Sequence, residues 1–91
     1  MAVTIKLPTQ LRTAANGQAE ATASGDTVRA VLDGLSQEHP ELRERLLDDG
    51  GELRRFVNVY LRGEDIRFLS GLDTQVDDGD ELTILPAVAG G

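Results

Sequence analysis

A single helical pattern, set between strand patterns on both sides, limits the folds open to this chain more than any other feature. Four apolar side chains recur at helical spacing: Val28, Val31, Leu32 and Leu35. This spacing predicts a helix with one buried face. Asp26 or Thr27 can cap its first turn, and Pro40 ends it because a residue before proline avoids helical geometry. A helix with one apolar face requires a second layer on which to pack.

The strand patterns predict that second layer. Five stretches have strand character: residues 2–8, 18–23, 56–61, 66–69 and 81–86. The pair Asn16-Gly17 predicts a hairpin-type turn between the first two strands, because both residue types tolerate positive φ. Residues 40–47 predict a short second helix. We therefore expect strands before and after one main helix.

This order predicts an α+β fold of the β-grasp, or ubiquitin-like, type. In that fold a mixed sheet of four to five strands packs on one main helix, here with a short second helix. The last strand is expected to lie parallel to the first and beside the third. We divide the chain into a β-grasp domain, residues 1–86, and a flexible Gly-Gly tail, residues 87–91.

The composition excludes several classes of function. Sixteen acidic residues against nine basic ones give a net charge of −7. Such a surface repels phosphate backbones and favours basic protein partners, so nucleic-acid binding is not expected. The absence of cysteine excludes disulfides and thiolate metal sites. No apolar run approaches the roughly 20 residues that cross a bilayer, and the start lacks a secretory leader pattern, so we expect a cytoplasmic protein without membrane contact.

The polar residues do not form a recognisable catalytic or metal site. His39 is the only histidine, and its position at a helix end favours a solvated capping role over catalysis. The acidic stretch 77–81 lacks the ligand spacing of a calcium loop, and we interpret it as a turn with Gly79 at positive φ. The chain is therefore expected to hold no metal or cofactor and to catalyse nothing itself.

Strand alternation predicts a docking surface on the sheet face away from the helix. Val57, Val59 and Leu61 would point to the helix, which turns the intervening side chains outward. In the last strand, Leu82 and Ile84 would also point to the helix, which turns Thr83 and Leu85 outward. The predicted partner-binding residues of the two strands are Phe56, Asn58, Tyr60, Thr83 and Leu85. The alternative is that Phe56 or Tyr60 folds over a sheet edge and completes the core.

The C-terminal residues form a narrow tail. Five small residues follow Pro86: Ala87, Val88, Ala89, Gly90 and Gly91. Glycine has no Cβ, so the end of this tail could enter a tight enzyme site and present its carboxylate to a nucleotide. The residues alone leave open that this is an ordinary frayed terminus. If the tail is functional, Gly90 and Gly91 are the site of activation, and Pro86 to Ala89 contact the partner.

The chain resembles a known family along nearly its whole length. The segment "LDTQVDDGDELTILPAVAGG", residues 72–91, is similar to the end of the MoaD/ThiS family of ubiquitin-like sulfur carriers. "VTIKLPTQLR", "GDTVRAVLDGL" and "FVNVYLRGEDIRF" resemble its first strand, helix start and third strand. The likeness is strongest to the branch that serves bacterial cysteine biosynthesis.

The resemblance implies a carrier function. A ubiquitin-activating-type adenylyltransferase would use ATP to adenylate the Gly91 carboxylate, and a sulfur donor would then convert it to a thiocarboxylate. In the cysteine branch, the acceptor is an activated serine on a pyridoxal-phosphate enzyme of the cysteine synthase type, and a zinc peptidase releases the product. Three alternatives stay open: a carrier for molybdopterin, thiamine or a secondary metabolite, a protein modifier joined to lysines, and a plain binding module.

Overall fold

A mixed sheet with helices on one side forms the architecture. The computed structural model describes residues 2–54 and 57–86. Its strands are β1 (Ala2–Lys6), β2 (Glu20–Ser24), β3 (Val57–Leu61), β4 (Glu64–Asp65) and β5 (Glu81–Pro86). Its α-helices are α1 (Thr9–Arg12), α2 (Val28–Glu38) and α3 (Pro40–Leu46). Short 3-10 helices span Thr13–Ala15, Ile66–Phe68 and Gly71–Asp73.

The strand order in the sheet is β2-β1-β5-β3-β4. β1 pairs with β2 and β3 pairs with β4, both antiparallel. β5 lies between these two hairpins, parallel to β1 and antiparallel to β3. The β-grasp prediction is confirmed, including the position of the last strand between the first and the third.

The main helix begins and ends where the sequence predicts. Thr27 is its N-cap, and the Oγ1 of Thr27 accepts a hydrogen bond from the Ala30 N–H at 3.1 Å. The helix ends at Glu38, and His39 leaves helical geometry directly before Pro40. The four residues of the predicted apolar face are at most 1% exposed. The periodicity of the sequence therefore identified the face that covers the sheet.

The core lies between this helix face and the inner face of the sheet. The inward side chains of the strands alternate with half-buried or exposed ones, which confirms the predicted alternation in β1, β3 and β5. The largest fully buried side chains include Ile5, Leu32, Leu35, Leu42, Leu46, Leu61, Ile66, Leu82 and Ile84. Leu42 and Leu46 come from α3, so the predicted short second helix is confirmed as part of the core.

Two local predictions differ from the structure. Asn16 and Gly17 do have positive φ, but they follow α1 and a 3-10 helix instead of closing a tight hairpin. The segment buries Leu11, Ala14 and Ala15, so helical turns fill the space beside the β1–β2 hairpin. The short strand predicted at residues 66–69 is wrong, because Ile66–Phe68 is a 3-10 helix and the strand lies earlier, at Glu64–Asp65.

The solvated position predicted for His39 is also wrong. His39 is only 9% exposed, because it joins α2 to α3 and these two helices pack against each other. Its backbone N–H donates to the Leu35 carbonyl oxygen and so closes the last turn of α2.

Among the described residues, no helix has the length and apolar character that a membrane crossing requires.

Candidate functional site

The pairing of β3 with β5 brings four of the predicted docking residues onto one face of the sheet. Asn58 lies opposite Leu85, and Tyr60 lies opposite Thr83. All four alternate along their strands with buried residues, so they lie on the face away from α2. We call these four residues the open-face patch.

The open-face patch combines apolar and polar surface. Leu85 is 44% exposed and is one of the large apolar side chains at the surface. The other three residues are half-buried. Tyr60 and Leu85 are diagonal neighbours across the two strands, a separation that long side chains can bridge. The two large side chains of the patch therefore form one diagonal pair, and Asn58 and Thr83 form the other.

Tyr60 does not complete the core. It is half-buried on the outer face and is not a member of the buried apolar cluster. The alternative in which Tyr60 folds over a sheet edge into the core is therefore wrong. Phe56 and the tail, residues 87–91, lie outside the described residues, so the predictions made for them stay predictions.

The tail begins at the edge of the open-face patch. The backbone of Pro86, the last residue of β5, pairs with Val57, one position from the Asn58–Leu85 pair. β1 runs parallel to β5 and ends at Lys6, which lies opposite Thr83. β5 therefore continues three residues beyond the end of β1. A partner that receives the tail can therefore contact the patch at the same time.

A groove continues the open face beside the patch. It has a volume of about 380 Å³ and is lined on one side by Thr83, Ile84 and Leu85 of β5. Lys6, Arg12 and Glu20 also line it, so the groove carries charges of both signs. Lys6 Nζ lies 3.6 Å from a Glu81 carboxylate oxygen, and both side chains are about half exposed, so this pair contributes little to stability.

Arg67 supports the open-face patch from the neighbouring sheet edge. Its Nη1 donates to Asn58 Oδ1 at 2.6 Å, and its Nη2 donates to the Val57 and Arg54 carbonyl oxygens at 2.8 and 3.0 Å. Sequence reasoning missed this residue, because its partners lie nine to thirteen positions away and no local pattern marks them. The only signal in the sequence was that Arg67 is a single charged residue within the otherwise apolar stretch 66–69.

Residues 77–80 of the acidic stretch form a turn directly before β5, as predicted from the sequence. Gly79 has a φ of +86°, and the Asp77 N–H donates to Asp80 Oδ2 at 2.7 Å. Arg62 neutralises part of the charge, since its Nη2 lies 2.8 Å from Asp77 and 2.6 Å from Asp80. Within residues 2–54 and 57–86, no group of three or more His, Asp and Glu side chains has the arrangement of a metal site.

Comparison with known proteins gives consistent matches over the whole chain. The model of the ThiS family matches residues 5–91. The sulfur carrier protein CysO of Mycobacterium tuberculosis (strain ATCC 25618 / H37Rv) is 50% identical over 93 residues, which cover 100% of both chains. Small archaeal modifier protein 3 of Haloferax volcanii is 43% identical over 65 residues, or 71% of this chain and 70% of that protein.

A solved structure has the same fold. A chain in the crystal structure of the Amycolatopsis orientalis BexX/CysO complex superimposes with a TM-score of 0.90 at 47% identity. The superposition covers 98% of this chain and 99% of that chain.

Proposed function

Because the chain belongs to the ThiS family of ubiquitin-like sulfur carriers, we propose that Gly91 carries sulfur as a C-terminal thiocarboxylate. We propose that this sulfur serves cysteine biosynthesis in the cytoplasm. The observation that carries this proposal is the match to the family, which extends through the Gly90-Gly91 end of the chain. Full-length identity of 50% with CysO supports the cysteine branch.

The proposed reaction requires two partners and no catalytic group of this chain. A ubiquitin-activating-type enzyme binds the open-face patch and takes up the tail. A carboxylate oxygen of Gly91 attacks the α-phosphorus of ATP, and pyrophosphate leaves. A sulfur donor then attacks the acyl carbon and expels AMP, which leaves the thiocarboxylate. ATP is thus a substrate of the partner, and the carrier is its second substrate.

Delivery of the sulfur follows on a second enzyme. In the cysteine branch, the thiocarboxylate sulfur bonds to the β-carbon of an activated serine on a pyridoxal-phosphate enzyme, and the serine oxygen leaves with its activating group. An S-to-N acyl shift yields a cysteine joined to Gly91 by an amide bond, and a zinc peptidase hydrolyses that bond. The BexX/CysO complex supports delivery to a second protein, because a CysO chain there is in a complex with another protein.

Mass spectrometry of the protein purified from its own cells tests the proposal. We expect a species heavier by the replacement of one oxygen by sulfur, and a cysteine adduct in cells that lack the peptidase. Only unmodified carboxylate, in cells grown under sulfur demand, would contradict carrier function. A thiocarboxylate without any cysteine adduct would support a carrier for molybdopterin, thiamine or a secondary metabolite instead.

A protein modifier is the second candidate function. The match to small archaeal modifier protein 3 favours it, because that relative is 43% identical over the matched residues. As a modifier, the chain would be found joined through Gly91 to lysines of other proteins. As a plain binding module, it would keep its activity after removal of the tail.

We expect no polymeric chains of this protein on itself. Lys6 is the only lysine, so each copy offers one side-chain amine to another copy, and this amine lies 3.6 Å from a Glu81 carboxylate oxygen. Incubation with the activating enzyme and ATP should therefore give no ladder on a denaturing gel. A ladder that disappears in Lys6→Arg would contradict this prediction.

The open-face patch should matter for binding more than for folding. Tyr60→Ala combined with Leu85→Ser should weaken binding to the activating enzyme at least tenfold, or about 1.4 kcal/mol, with little change in the melting temperature. Isothermal titration and thermal unfolding measure the two effects. Thr22→Ala with Ser24→Ala, both exposed on β2, is the matched control. Parental affinity in the double variant would place the docking surface elsewhere.

A further inference from the structure

Asn58 presents its side-chain amide in one orientation. Arg67 Nη1 lies 2.6 Å from Asn58 Oδ1. A guanidinium has donors only, so the amide must turn its oxygen toward Arg67. The nitrogen at the other end of the amide then carries the donors that Asn58 can offer to another molecule.

Arg67 can enforce this orientation because the protein fixes it at several points. Its Nη2 donates to two backbone carbonyl oxygens, those of Val57 and Arg54, and its own N–H donates to Asp65 Oδ1 at 2.9 Å. β4 pairs only with Tyr60 and Leu61 of β3. The guanidinium therefore occupies the part of the β3 edge that β4 leaves uncovered, in the place of a neighbouring strand.

The oriented amide lies within the proposed docking surface. Asn58 is opposite Leu85 and one residue from Val57, which pairs with the last residue before the tail. An interface core that is apolar and contains a few placed polar groups gains its specificity from those groups. A donor that is already oriented gives up little conformational freedom on binding.

Resting on the function proposed above, we propose that the Asn58 amide, oriented by Arg67, donates a hydrogen bond to a main-chain carbonyl oxygen of the activating enzyme. A neutral acceptor fits better than a carboxylate, since the Arg67 guanidinium already donates to Asn58 and to two backbone carbonyl oxygens, and the chain as a whole has a net charge of −7. In this assignment Arg67 is a positioning residue, and Asn58 makes the contact.

Asn58→Asp separates the recognition role from a structural one. The aspartate has nearly the same shape and keeps an oxygen for Arg67, so the fold and the Arg67 contact are preserved or strengthened. It has no donor, and it would place an oxygen against the partner's carbonyl. We expect binding to the activating enzyme to weaken at least tenfold, with no fall in melting temperature.

Thr22→Asp is the charge control, because it adds the same charge to the same sheet face on β2, three strands away from β3. It should leave the affinity almost unchanged. Asn58→Ala removes the donor without adding charge and should reproduce the loss of affinity. Arg67→Ala should lower both affinity and melting temperature, because it frees the amide and uncovers two carbonyl groups.

Two outcomes separate this inference from the proposed function. If the parent is adenylated, and Asn58→Asp and Asn58→Ala bind as tightly as the parent, the inference is overturned while the carrier function stands. If the activating enzyme does not adenylate the parent at all, the proposed function fails, and the inference fails with it.

Discussion

Replacing Gly90 by leucine should abolish adenylation of the protein and leave its fold unchanged. Gly90 lies four positions after Pro86, where β5 ends, so the substitution changes no residue of the sheet. A site that holds a carboxylate in line with the α-phosphorus of ATP must be narrow, and a side chain at Gly90 would keep the reacting atoms apart. Misplacement of reacting atoms by about 1 Å can slow a reaction on the order of a hundredfold.

ATP–pyrophosphate exchange and thermal unfolding measure the two parts of this prediction. Deletion of Gly91 should have the same effect, because it shortens the reach of the carboxylate. Gly50→Leu is the matched control, since Gly50 lies exposed in the loop after α3 and an added Cβ would meet only an Asp48 oxygen at 3.4 Å. Normal exchange with Gly90→Leu would contradict the threading of the tail.

Gly25→Ala should destabilise the fold by about 2–3 kcal/mol. Gly25 lies between β2 and α2, where the chain passes close to the helix. A Cβ at this position would lie 2.7 Å from the Val31 nitrogen and 2.8 Å from the Ala30 Cβ. Backbone atoms of a capped helix cannot move aside cheaply, so the hairpin and the helix would have to separate.

Gly34→Ala provides a control of opposite sign in the same helix. An added Cβ at Gly34 would lie 3.6 Å from the Ala23 Cβ and the Ser24 carbonyl oxygen, which is ordinary contact. Alanine is favoured over glycine within a helix by about 1 kcal/mol, so this variant should be more stable than the parent. Chemical denaturation of both variants measures the difference. Equal stability of the two would contradict a close approach at Gly25.

Local sequence patterns were sufficient to predict the main elements. Residues within or next to one helix determine the cap at Thr27, the apolar face of α2 and the end of α2 before Pro40. Side-chain alternation similarly predicted the open-face patch, because a strand has only two faces. The identity of the partner that binds this patch could be proposed only from the resemblance to a family.

The elements that sequence reasoning missed depend on distant contacts. α1 has four residues and buries one of them, Leu11, so it carries no recognisable period. Ile66 is apolar and β-branched, which favours a strand, but a 3-10 helix buries it in the core. Arg67 acts through atoms that only the folded chain brings near it.

The central position of β5 has a consequence for how the molecule is made. Proteins are synthesised from the N-terminus, and β5 joins two hairpins that do not otherwise pair with each other in the sheet order. Until residues 81–86 are present, β1 and β3 each have an uncovered edge, and such edges can pair with other chains. The segment that completes the sheet is the last one before the tail, so a chain interrupted before residue 81 cannot complete the sheet.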